Sequence, residues 1–235
     1  MFSTRALSAI CLLFAIAMSC FTPDSLCAAD RPAPTFVQAL VGAAQFSEDD
    51  LTFAETSVID GTTNKNDLSS MPYIGMTFQH PLGGESTQFG LDGSFLFGWR
   101  SGDTRVRAGN GQIAISIDSS LWLADLSVGV YVTHTFSDRW RLYAAAGPAV
   151  VFGDYSEDTD EEDYQSGDHT LSNRSDSEFG IGAYVRGGFD YLFAPNAYVG
   201  VCVRGLKTNL EFDSAPEASS SLSGVQGFLS FSRYF

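Results

Sequence analysis

The chain has 235 residues and a formal charge of −15, with 13 Lys and Arg against 28 Asp and Glu. That balance leaves no basic patch for a nucleic-acid backbone. Mean hydropathy is close to zero and no long apolar run follows the N-terminal segment, which excludes a bundle of membrane helices but suits strands that alternate apolar and polar residues.

The N-terminus reads as a secretory signal. A basic start, Met1 to Arg5, leads into an apolar run from Ala6 to Phe21. Pro23 and Asp24 then break the helix, and Cys27-Ala28-Ala29 offers the small residues a signal peptidase reads. Residues 1–29 are therefore expected to be removed, leaving 30–235 as one barrel domain. The rival reading of a lipoprotein acylated at Cys20 is disfavoured, because Ala17 stands where Leu is usual. Cleavage removes Arg5 and Asp24 together and leaves the charge unchanged. It also removes Cys11, Cys20 and Cys27, so only Cys202 remains, as a small filler within a strand with no disulfide partner.

From Asp30 onward the period is two, and eight strands are expected: 35–46, 70–80, 87–100, 119–136, 140–153, 178–193, 197–212 and 221–235. Three connections are short and built of turn formers: Pro81 to Ser86, Ser137 to Arg139, and Ala194 to Asn196. Four are long and polar: 47–69, 101–118, 154–177 and 213–220. Short and long connections alternate, as in an outer-membrane barrel with tight periplasmic turns and long outer loops.

Each strand with clear alternation assigns its own faces. Leu126, Val128, Val130 and Val132 oppose Ser127, Gly129, Tyr131 and Thr133. Phe89, Leu91, Phe95, Phe97 and Trp99 share a face, with Gly93 and Leu96 out of pattern. Phe179, Ile181, Val185, Phe189 and Phe193 share another, as do Val199, Val201 and Val203. The apolar faces are expected to meet lipid, and the Gly-rich faces to look into a narrow interior. The first and fifth strands alternate poorly, and Pro148 predicts a bulge in the fifth. Aromatics near the short turns predict a periplasmic girdle: Phe78, Phe89, Phe136, Trp140, Tyr191, Phe193, Tyr198, Tyr234 and Phe235.

With its signal, its loop pattern and its terminal Phe231-Ser-Arg-Tyr234-Phe235, the chain resembles the small eight-stranded outer-membrane β-barrel family of opacity-type surface antigens. The resemblance spans Asp30 to Phe235. It implies an all-β, antiparallel up-and-down transmembrane barrel in the bacterial outer membrane, surrounded by lipid and lipopolysaccharide. It also implies an insertion machinery that reads Phe231, Tyr234 and Phe235. Arg233 departs from the family pattern, which has an aromatic or apolar residue there.

Candidate chemistry is sparse. Asp92, Arg186, Asp190 and Arg204 fall on inward faces, where charges must pair. They predict a salt-bridge network that plugs the barrel; a narrow ion path is the functional alternative. Arg100, Arg105 and Arg107 are candidate contacts for lipopolysaccharide phosphates. Asp154 to Asp163, with Asp168 and His169, is a carboxylate-dense loop without EF-hand spacing, so a solvated loop is expected rather than a Ca²⁺ site. His80, His134 and His169 are scattered and lie in no nucleophile motif. No enzyme, metal or cofactor is expected. The leading function is a structural or surface-interaction barrel acting through its loops. The alternatives are a narrow channel, a soluble ligand-binding barrel and a lipid-modifying enzyme.

Overall fold

The computed structural model describes residues 35–47, 52–56, 63–67, 69–108, 113–137, 139–163, 169–210 and 221–235; the signal and its cleavage site lie outside them. Eight strands close into a ring. They are β1 (Phe36–Phe46), β4 (Ser70–Gly84), β5 (Thr87–Ala108), β6 (Ile113–Ser137), β7 (Trp140–Asp163), β8 (His169–Ala194), β9 (Ala197–Thr208) and β10 (Leu222–Tyr234). A two-stranded sheet, β2 (Thr52–Thr56) with β3 (Thr63–Asp67), lies within the connection from β1 to β4. Every pairing is antiparallel, and β1 closes the ring by pairing with both β4 and β10. The seam is held to the last residue: Thr35 N–H donates to the Phe235 carbonyl at 3.1 Å, and Phe235 N–H returns a bond of 2.9 Å.

The stagger follows from the register. Stepping from Phe46 through Gly224, Leu206, Tyr184, Gly147 and on to Asp92 and Gln79 leads back to β1 at Phe36, a shear of about ten residues. Tight turns sit where the chain chemistry allows them. Asn196 takes φ of 62° and Gly84 takes 101°, the left-handed region that Asn and Gly enter most readily.

Alternation is regular around the ring. Val130 is 63% exposed while its neighbour Tyr131 is 4%, and Phe89, Leu91, Phe179, Ile181, Val185, Val199, Val201 and Val203 also point outward. A contiguous apolar exterior of this extent would drive association in water and suits lipid. It does not suit the soluble ligand-binding barrel considered above. Two aromatic belts bound it. At the turn end Trp140 packs on Phe189 and Tyr191, and Phe193 packs on Phe231. At the loop end Phe97, Trp99, Trp122 and Phe152 form a second belt. Phe89 and Trp99 mark the two belts on β5; about ten residues at ~3.3 Å each, tilted ~40°, set them about 25 Å apart.

Several expectations are corrected. β5, β6, β7 and β8 run well into segments read as loops, because they continue to pair as far as Ala108 with Ile113, Ile113 with Asp163 and Glu161 with His169. β9 stops at Thr208 rather than 212, where Asn209 turns its side-chain oxygen to accept from Ile181 N–H. Pro81 to Gly84 belong to β4, leaving a tighter turn than expected. Pro148 makes no bulge: its register against β8 is unbroken, and pairing to β6 lapses between Ala146 and Ala149, where proline offers no N–H, and resumes in the same register. Tyr198 and Tyr234 do not join the outer girdle. Their rings pack edge-on to the buried Phe36, at 5.4 and 4.8 Å, and cover the turn end of the interior.

Candidate functional site: the barrel interior and its ends

The interior charges come from strand positions of one phase, which the pleat turns inward. Asp92, Arg186, Asp190 and Arg204 are all buried, but they do not form one four-member set. Arg186 on β8 reaches across to Asp92 on β5 at 2.5 Å. The Asp92 carboxylate also accepts from the Tyr184 hydroxyl at 2.6 Å and from Gln79 Nε2 at 3.1 Å. Arg204 on β9 forks onto Asp125 on β6 at 2.7 and 3.0 Å, and donates to Gln226 at 2.7 Å. Asp190 meets Arg141 at 3.3 Å and accepts from Ser230 at 3.1 Å.

Asp125 and Arg141 thus complete the network, and sequence reasoning did not single them out. Asp125 shares the inward phase of Ser127 and was legible by parity. Arg141 was not, because the Ala144-Ala145-Ala146 run hides the phase of its strand. Arg141 is buried among polar and aromatic partners. It donates to Thr133 at 2.8 Å and to Gln79, and its guanidinium lies 3.7 Å over the Phe36 ring. Two ion pairs therefore span the lumen as struts, while the third ties neighbouring strands near the turn end.

Toward the loop end the lumen becomes apolar. Phe46, Met71, Leu121, Leu123, Val151, Tyr155 and Leu206 are all buried there. In both halves a tyrosine side chain lies over an inward glycine, Tyr73 on Gly98 toward the loop end and Tyr143 on Gly188 in the charged half. Cys202 is buried beside Gly188 and is a free thiol. Tyrosine, arginine and leucine side chains fill the section on which an ion path would depend.

The ends of the barrel hold the remaining candidates. Arg100 is exposed just beyond Trp99. Arg105 and Arg107 stand opposite Ser116 and Ala114 in the β5–β6 ladder; their side chains lie outside the described residues. Of the acidic segment, Asp154 accepts from the Trp122 indole at 3.0 Å and from the Ser177 hydroxyl at 2.6 Å. The side chains of 157–163 and of His169, and all of Asp168, lie outside the described residues. Among the described residues no cluster of three potential metal ligands occurs. His80 and His134 pair with the hydroxyls of Thr35 and Thr87, at 3.1 and 2.8 Å, on the exposed turn end. Phe231 and Phe235 are half exposed on the outside, and Tyr234 packs inward.

A closed antiparallel ring of eight strands with an apolar exterior is now complete. The fold is that of a small transmembrane β-barrel. Solved structures similar to the chain are outer-membrane barrels. Ail, the attachment invasion locus protein of Yersinia pestis, in complex with the heparin analogue sucrose octasulfate, is 13% identical, with a TM-score of 0.44 over 85% of this chain and 97% of that one. Neisserial surface protein A is 15% identical, with a TM-score of 0.38 over 86% and 97%. OprG from Pseudomonas aeruginosa is 13% identical, with a TM-score of 0.39 over 87% and 97%. No protein-family model matches the sequence, and no curated protein matches it.

Proposed function

We propose that the protein is a non-conducting barrel of the bacterial outer membrane whose role is carried by what stands above the bilayer. The observation that carries this reading is the filled lumen, struts below and an apolar cluster above. Function then falls to the outward parts. There β5, β6, β7 and β8 continue as a paired extension past the last partners that β4 and β9 supply, Gly98 and Gly182. In this reading the signal is removed after Ala29, the short turns face the periplasm, and the insertion machinery recognises Phe231, Tyr234 and Phe235. The outer rim meets lipopolysaccharide, with Arg100, Arg105 and Arg107 near its phosphates.

Planar-bilayer recording tests the reading. The refolded full chain should give no discrete conductance steps. Steps that change when Asp125 or Arg204 is replaced would establish a narrow channel instead.

A further inference from the structure

The lipid-facing surface carries a shallow, wide-open trough. A concavity of about 610 Å³ opens at the loop end between Gln45, Lys207 and Ser223 and descends past Ala183 to Val185 and Gly205. A second, of about 730 Å³, shares Val185 and Gly205 and continues past Gly187 and Ala146 to Phe89. Together they run from the loop-end rim to the turn-end belt.

The glycines here differ in kind from those inside. At Gly98 or Gly188 an added methyl would strike a tyrosine ring, so the lumen itself requires glycine. At Gly227, beside the trough, a methyl would meet nothing within 4 Å, and at Gly205 and Gly187 only ordinary contacts at 3.5 and 3.7 Å. Backbone packing therefore does not demand small residues on this outer face, and they leave room for an occupant. Lys207 stands at the upper end among Gln45, Ser47 and Ser223, close to the level of the loop-end belt, and makes no ion pair among the described residues. A shallow apolar trough headed by one cation is complementary to an acyl chain headed by a phosphate.

We propose that this trough binds a phosphate-bearing lipid of the outward leaflet, its acyl chain along Ala183, Val185 and Gly205 and its phosphate on Lys207. The proposal rests on the membrane reading of the exterior, and the two fail differently. A chain whose mobility in SDS is the same with and without boiling fails the membrane reading, and this is read before any lipid is added.

The test is native mass spectrometry of the folded full chain in detergent, titrated with bisphosphorylated hexa-acyl lipid A and with its phosphate-free counterpart. Wild type should retain bisphosphorylated lipid A. Removing the phosphates, or the substitution Lys207→Gln, should lower occupancy about fivefold, the factor one interfacial lysine contributes toward an anionic lipid. Gly205→Leu fills the trough from outside, where space allows it, and should abolish retention. Equal occupancy in all three proteins overturns the proposal. So does a loss in Gly205→Leu with none in Lys207→Gln, because the phosphate contact is part of it. A wild-type dimer that Gly205→Leu dissociates would make the trough a contact between copies and overturn it too.

Discussion

Arg204 and Asp125 are both fully buried, and two donors of the guanidinium meet both carboxylate oxygens. A buried pair of this kind adds little net stability, since desolvating the ions offsets their attraction, but breaking it is costly. Asp125→Ala leaves Arg204 charged inside the barrel and should destabilise it by about 3–5 kcal/mol. The measurement is urea unfolding of the barrel in detergent micelles. The double variant Asp125→Leu with Arg204→Met removes both charges and should lie within about 1 kcal/mol of wild type or above it. A double variant as unstable as the single one would mean that the network's polar partners, Gln226 and Ser127, matter more than the charge pair.

At the scale of the strand, glycine has opposite meanings on the two faces. Gly98 lies under Tyr73 and Gly188 under Tyr143, so Ala at either forces a ring out of place and should cost about 1–3 kcal/mol by overpacking. Gly227→Ala faces open space and should instead stabilise by up to about 1 kcal/mol, since glycine is entropically costly in a strand. Thermal unfolding of the three variants under one condition checks the sign at each site. The two classes are distinguishable in sequence only where parity is clear. Val128 to Val132 and Val199 to Val203 disclose their faces because valine recurs at every second residue. β7 does not, because alanine fits either face: Ala145 is buried, while Ala144 and Ala146 are exposed. The strand extensions were missed for another reason. Polar composition marked 101–118 and 154–177 as loops, although Ile113, Ile115 and Ile117 carried a period of two. The eight-stranded count survived these errors because it rests on the short turns, whose residues are constrained by backbone geometry.

For the whole molecule, closure decides the behaviour. Every ring strand has two partners, so the ring has no fraying edge within the bilayer, and it should resist SDS until boiled. Phe235 lies at the seam of that ring. Its backbone is bonded both ways to Thr35, while its ring is 48% exposed on the outer face. Full burial of such a ring stabilises by roughly 1.5–3 kcal/mol, so half burial contributes about 1 kcal/mol, and loss of the two bonds adds about 2 kcal/mol. Seven other seams and the remainder of this one stay intact, so the chain lacking Phe235, refolded in detergent, should still shift mobility on boiling. Inside cells the outcome should differ, if the insertion machinery reads the last strand by its terminal aromatic. The deletion should lower the amount in the outer membrane and leave precursor in the periplasm, as fractionation would show. Normal insertion of the deletion variant would mean that the terminal aromatic serves only as one more member of the turn-end belt. Failure to refold in detergent would instead assign it to stability, through the closure bonds with Thr35.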